Sequence, residues 1–245
     1  ERDVLMEDIA RRIDSGEFSK AGKEKKPRWE SGWEENLREF VASGHKIESL
    51  TPKYIRADQP VRLWREYVIP QDPHFEYNWR RVFKPWLYRK YLNEAAAIYE
   101  LGCGSGADLA FLARLFPQKE IHGLDWAGAS VEIAGLLASE HGLNITGHSF
   151  DMFSPDPKVH FKPRSAVLTF SAFEQMGTEF GPMLKFLLEK KPSLVLQAEP
   201  LHELFDSRNP VDLLAIRFAE KRNYLRGYLP ALQKLEREGK IKIEK

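Results

Sequence analysis

Beyond about Pro73 the chain alternates short apolar runs with helix-length stretches, and this alternation restricts the possible folds more than any other feature. The runs 97–101, 120–124, 145–149, 165–170 and 193–197 are only a few residues long and mostly apolar. Strands sealed on both faces by helices read this way, because neither face needs polar side chains. Helical stretches are expected at 78–92, 107–116, 130–141, 180–190, 211 to about 224, and 231–238. The βαβ rhythm predicts an α/β fold with a doubly wound, mostly parallel sheet.

The first 75 residues lack that rhythm. They are charged and weakly periodic, and are expected to form a helical or linker extension that caps the domain of residues 76–245. A chain of 245 residues is long enough for one large core with such an attachment. The mixed run Lys23-Glu24-Lys25-Lys26-Pro27-Arg28 predicts a solvated linker. Trp29, Trp33, Trp64, Trp79 and Trp86, five of the six tryptophans, precede residue 97. Their expected role is to pin helices onto the core, the alternative being that some line a cleft whose flat walls suit sugar faces or aromatic acceptors.

Composition narrows the function. With 37 basic and 36 acidic residues the net charge is +1, which gives no long-range steering toward nucleic acid or an anionic membrane. No apolar run approaches the length of a transmembrane helix. The single cysteine, Cys103, excludes an internal disulfide and a cysteine metal cluster, and a cytoplasmic setting is the expectation. The start at Glu1-Arg2-Asp3 shows neither a signal h-region nor an initiator Met, so the chain is expected to be processed or excised.

The chemistry concentrates where the first long strand meets its helix, at Glu100-Leu101-Gly102-Cys103-Gly104-Ser105-Gly106. Glycines there let the backbone turn sharply and let a ligand approach closely. Glu100 ends the strand and Asp125 ends the next one, at the spacing where a carboxylate accepts both hydroxyls of an adenosine ribose. A dinucleotide turn of G-x-G-x-x-G type is the competing reading. Here, however, the third glycine comes one residue early, and Glu100 beside a diphosphate is repulsive, whereas a cationic amino group gains from it.

Ile98-Tyr99-Glu100-Leu101-Gly102-Cys103-Gly104-Ser105-Gly106, Gly123-Leu124-Asp125-Trp126 and Phe150-Asp151-Met152 together resemble the class I S-adenosylmethionine-dependent methyltransferases over roughly residues 98–197. The resemblance implies that the turn, with Gly102, Cys103, Gly104 and Gly106, wraps the methionine part of the cofactor, with Glu100 near its amino group. It further implies that Asp125 holds the ribose, that Asp151 meets the adenine amine, and that Trp126 and Met152 wall the base. Thr169, at the end of the fourth long strand, joins this set, and Arg81 is placed to reach the cofactor carboxylate.

Reaction in such a sheet occurs above the carboxyl ends of the strands. Glu174, Glu199 and His202 follow the fourth and fifth of them and are the candidate bases, or partners that orient the acceptor. The alternatives are a helix cap for Glu174, an ion pair for Glu199 and a structural imidazole for His202. The fourth strand lacks the Asp found in metal-assisted members and no ligand cluster with metal spacing occurs, so a mechanism without metal is expected.

The segment Leu213-Leu214-Ala215-Ile216-Arg217 through Lys221-Arg222-Asn223-Tyr224-Leu225 resembles, more loosely, a tail of methyltransferases associated with bacterial polysaccharide and lipopolysaccharide assembly. Arg217, Lys221, Arg222, Tyr224 and Arg226 would then form a basic face for a carboxylate or phosphate on a glycan. Arg80, Arg81 and Lys84 form a second basic group. The family's terminal antiparallel strand is missing from Lys240-Ile241-Lys242-Ile243-Glu244-Lys245, so the cap, a second copy or a partner domain is expected to cover the sheet edge. The leading expectation is O-methylation of a sugar or glycan hydroxyl. Methylation of a small metabolite on O or N, and a non-catalytic binding module, are the alternatives. Nucleic acid is not an expected partner.

Overall fold

The computed structural model describes residues 2–16 and 18–244, so Glu1 and Lys245, the outer limits of the two expected segments, lie outside the described residues, as does Glu17. Two helices lead, α1 (Arg2–Ser15) and α2 (Lys26–Ala42), followed by a small hairpin of β1 (Val61–Leu63) and β2 (Glu66–Val68). Helix α3 (Phe75–Tyr91) then enters the α/β succession: β3 (Ala97–Leu101), α4 (Ala107–Leu115), β4 (Glu120–Asp125), α5 (Gly128–His141), β5 (Ile145–Ser149), β6 (Ser165–Phe170), α6 (Gly181–Lys190) and β7 (Leu194–Ala198). Helices α7 (Pro210–Lys221) and α8 (Tyr228–Arg237) follow.

The five long strands form one sheet in the order β5-β4-β3-β6-β7, and every neighbouring pair is parallel. The chain winds outward from β3 through β4 to β5, then returns to β6 on the other side of β3. That reversal opens a crevice above the carboxyl ends of β3 and β6, where ligands of doubly wound sheets bind.

The alternation of side chains along β3 shows why its sequence is apolar except at Glu100. Ile98 points into a layer with Leu109 and Leu112 of α4 and Ile133 and Leu137 of α5. Tyr99 and Leu101 point the other way, toward Leu124, Val167 and Phe186. Each large apolar side chain sealed in these layers contributes about 1.5–3 kcal/mol.

The expected strands agree with the observed ones to within a residue. The helix ends shift more. Asn209 accepts hydrogen bonds from Val211 N and Asp212 N, which starts α7 at Pro210, and the left-handed Asn223 follows its end at Lys221 rather than at residue 224. Residues 23–28 are not the expected solvated linker. They form a single 3-10 turn and the first turn of α2, with Pro27 where a helix start has no use for its N–H. Lys25 is buried, and the ammonium groups of Lys25, Lys26 and Lys23 lie 5.2, 5.9 and 5.5 Å from the ring centres of Trp29, Trp126 and Phe153. Long basic stems cover apolar rings here, which a charge pattern does not reveal.

The tryptophans divide, against the expectation that they mainly pin helices onto the core. Trp64 sits at the tip of the β1–β2 hairpin and is 90% exposed, while Trp79 and Trp86 are also exposed on α3. Trp29 and Trp33 stack on each other at 5.6 Å and face the crevice. Among the described residues no strand pairs with the outer edge of β7, and no helix is long and apolar enough to cross a membrane.

Candidate cofactor and acceptor site

The crevice is a cavity of about 960 Å3 that runs along the carboxyl ends of β3, β4 and β6. Its floor is the turn between β3 and α4. Gly102 N donates to Leu124 O at 2.7 Å, tying that turn to β4. Gly104 has φ +50°, and a Cβ there would stand 2.6 Å from Cζ2 of Trp33, so glycine is what allows α2 to close over the turn. Gly106 has φ +71° at the start of α4, where a Cβ would meet Ile133 at 2.8 Å. Cys103 lines the cavity from within the turn, and burial pushes its thiol well above the ordinary range.

Two acids stand at the strand ends. Asp125 Oδ2 accepts from Gly104 N and Oδ1 accepts from Ala127 N, both at 2.9 Å, which fixes the carboxylate beside the turn. Burial raises its pKa against those bonds. A carboxylate has about four acceptor positions, so two remain for a pair of vicinal hydroxyls. Glu100 is buried, and its Oε2 has no hydrogen-bond partner. Burial and the neighbouring Asp108 raise its pKa well above the ordinary range, and Lys84, whose Nζ holds Asp108 at 2.5 Å, opposes that shift. An orphaned carboxyl oxygen lining a cavity is a site for a cationic donor, which the amino group of an amino-acid ligand provides.

One end of the cavity is apolar, walled by Trp126, Phe150, Met152, Phe153 and Met176, with Trp126 stacked on Phe153 at 5.7 Å. Trp126 and Met152 thus line the cavity, and Phe150, Phe153 and Met176 add to the same apolar wall. Asp151 does not line the cavity. Its Oδ1 accepts from Phe153 N at 2.8 Å, so the carboxylate turns back on its own loop. Thr169 is fully buried in β6 below the crevice and also stands outside the lining. Arg81 lines the end nearer α3, with Arg80 and Lys84. Arg80 is paired with Glu76 at 2.9 Å.

Of the candidate bases, Glu174 alone lines the cavity. Gln175 Nε2 donates to its Oε1 at 2.9 Å, and burial, followed by repulsion from Glu199, pushes its carboxyl up to about 7. Glu199 sits behind that wall. Its Oε2 accepts from Glu174 N at 2.9 Å and its Oε1 from Ala172 N at 3.3 Å, and burial raises it to about 7 as well. His202 is held away from the cavity, with its ring Nδ1 3.1 Å from Leu225 O.

The expected basic face also divides. Arg217 pairs with Asp14 of α1 at 2.6 Å, whereas Arg222 and Tyr224 turn into the cavity. Trp33, Tyr54 and Gln175 complete this part of the lining. The sequence gives no signal for Tyr54, only a position after the fourth long strand for Gln175, and only the aromatic enrichment for Trp33. Among the described residues there is no group of three or more His, Cys, Asp or Glu side chains placed to hold a metal.

Residues 98–184 match the family model described as Methyltransferase domain. No curated protein matches the sequence. Similar solved structures include that of the conversion of a disulfide bond into a thioacetal group during echinomycin biosynthesis, at 19% identity over 42% of this chain and 43% of that one, with a TM-score of 0.36. Coclaurine N-methyltransferase is similar at 15% identity over 78% of this chain and 55% of that one, with a TM-score of 0.44. An amino pentose methyltransferase from Micromonospora echinaspora, involved in calicheamicin biosynthesis, is similar at 25% identity over 54% and 58%, with a TM-score of 0.39. The chain thus spans between 43% and 58% of the length of these proteins. The glycine turn and the two strand-end acids all lie within the residues 98–184 that match the methyltransferase-domain model.

Proposed function

We propose that the protein methylates a hydroxyl of a sugar or glycan, in the cytoplasm and during polysaccharide assembly, with residues 1–75 as the cap and residues 76–245 as the catalytic domain. The observation that carries this reading is Glu174, a carboxyl with a pKa of about 7 on the wall of the same cavity whose floor is the glycine turn. A base titrating near the working pH is suited to removing a proton from a hydroxyl.

S-adenosylmethionine, when bound, supplies a methyl group activated by a sulfonium centre. The residues that would hold it are Glu100 at the ammonium, Asp125 at the ribose hydroxyls, Trp126 and Met152 at the adenine, and Arg81 at the carboxylate. The turn from Gly102 to Gly106 lets the ligand lie against backbone. Asp151 stands one position outside the apolar wall, where reorientation of its side chain would bring it to the adenine amine. Glu174 takes up the acceptor proton at its carboxylate, Glu199 fixes the loop that presents Glu174, and Trp33 excludes water from above. Trp29, Tyr54 and Tyr224 offer the flat faces on which sugar rings stack. None of these roles needs a metal.

The test is product mass after incubation with S-adenosylmethionine and a panel of sugars, glycans and amines, with and without chelator. A gain of one methyl on a sugar oxygen, undiminished by chelator, supports the reading. Methylation confined to amines, or rescue by magnesium, refutes it, and calorimetry showing no uptake of S-adenosylhomocysteine leaves only a non-catalytic module.

A further inference from the structure

The cavity has a wall that neither the cofactor nor the proposed base uses. Arg222 lines it just beyond the end of α7, and its Nε is buried without a hydrogen-bond partner. The guanidinium carbon lies 5.0, 5.5 and 5.9 Å from the ring centres of Tyr224, Phe218 and Phe18, so three aromatic rings box it in. Rings hold a guanidinium in place but do not satisfy its in-plane N–H groups. Arg217, one and a half turns earlier, is paired with Asp14, and the described residues give Arg222 no such carboxylate.

A second cation reaches the same wall from α2. Lys25 is buried, and its Nζ donates to Gln175 Oε1 at 3.4 Å, a long bond to a neutral partner. Burial, then the nearby Arg222 and Arg28, pull its pKa down to about 8, as happens when cations gather without enough anions. The resident anion is Glu174, which burial and Glu199 hold partly protonated near neutral pH. When Glu174 takes a proton, the two cations lose that partner.

Building on the methyltransferase reading above, we infer that Arg222, supported by Lys25, forms a subsite for an anionic group on the acceptor, a carboxylate or a phosphate. A planar guanidinium with free in-plane donors is matched to two oxygens of either group. The bound anion would take over the charge balance that Glu174 gives up on protonation. Substrate selection then rests on charge at Arg222, and proton removal rests on Glu174.

The experiment uses the full chain saturated with S-adenosylhomocysteine and titrates four probes by calorimetry: glucose, glucuronate, glucose 1-phosphate and inorganic phosphate. The inference predicts that glucuronate or glucose 1-phosphate binds at least tenfold more tightly than glucose. Preference for glucuronate assigns a carboxylate, preference for glucose 1-phosphate assigns a phosphate, and comparable binding of free phosphate places the recognition in the anion alone. Arg222→Met should abolish that preference by about tenfold to a hundredfold, the effect of one charge-assisted hydrogen bond, and Arg222→Lys should restore part of it. S-adenosylhomocysteine affinity should stay within twofold in both variants, which a merely structural role for Arg222 would not preserve. No discrimination between glucose and the anionic probes, or an Arg222→Met protein that discriminates like the wild type, overturns the inference. A wild-type chain that does not take up S-adenosylhomocysteine at all overturns the cofactor reading itself, a separate failure read from the same instrument.

Discussion

Replacing Glu199 with Gln should make the protein slightly less stable at pH 5 and more stable at pH 8. In the fold, burial raises this carboxyl from an ordinary 4.5 to about 7. A raised carboxyl contributes stability that is fully present below its unfolded pKa and lost as pH climbs through its folded one. A shift of about 2.5 units corresponds to about 3 kcal/mol, lost between roughly pH 4.5 and pH 7. Glutamine keeps the shape and one oxygen, so it can accept from either Glu174 N or Ala172 N but removes the second acceptor. That loss costs about 1 kcal/mol at every pH. The difference between variant and wild type is therefore about −1 kcal/mol at pH 3, about −0.2 kcal/mol at pH 5 and about +2 kcal/mol at pH 8, with the curves crossing just above pH 5. Loss of the negative neighbour also lowers the Glu174 pKa, which adds to the gain at high pH. Urea unfolding of both proteins from pH 4 to pH 8 measures this directly, since the titrating groups other than Glu199 and its neighbour Glu174 are shared and cancel. In melting temperature the gain at pH 8 is about 4–8 °C. A constant offset across the range, with no crossing, would show that the Glu199 carboxyl is not desolvated in the fold and would remove the physical basis for a base near pH 7.

Asp125→Ala removes the acceptor for Gly104 N and Ala127 N together with the proposed ribose contact, so S-adenosylhomocysteine binding should weaken by about 1–3 kcal/mol. An unchanged dissociation constant in calorimetry takes Asp125 out of the site. Gly104→Ala forces a side chain into a left-handed backbone and against Trp33, an expected loss of about 2–3 kcal/mol in urea unfolding. The same change in a Trp33→Ala background should cost about half as much, and strict additivity would refute the contact. Glu174→Gln should lower turnover about 10²–10⁴-fold with cofactor affinity unaltered, measured with the acceptor found in the product screen; near-normal turnover would exclude a general base there.

The parts of the fold that were legible are those whose cause is local. The apolar runs that became β3, β6 and β7 are mostly apolar because helices cover the sheet faces, and that condition is written into each of these strands separately. Glu100 and Asp125 were legible for a related reason: each ends a strand beside the switch point, so its place along the chain fixes its place in the crevice. Asp151 lies two residues past the end of β5 and fails to line the cavity, because Phe153 N, two residues on, donates to its carboxylate in a local turn. Glu199 looked like a second base from its position after β7. The free N–H groups of Ala172 and Glu174 made it a support for the loop instead.

The acceptor half was illegible because it is assembled from segments far apart in the chain. Trp33 meets Gly104, Lys25 meets Gln175, and Arg222 is boxed by Phe18, Phe218 and Tyr224. No pattern of neighbours announces such contacts, and the basic run at 23–28 even pointed to solvent. The division has a physical consequence. The cofactor half is carried by strand ends whose geometry the sheet imposes, so substitutions there act on ligand affinity and on packing together. The acceptor half is carried by α2, by the loop that follows β6 and by the end of α7, the last two tied to one another by Leu225 N donating to Glu174 O at 2.9 Å and Arg226 N donating to Gly177 O at 3.2 Å, bonds that do not involve β3 or β4. Lys25, Trp29 and Arg222 can therefore change without disturbing the strand ends, and acceptor preference is expected to be far more easily altered than cofactor binding in this chain.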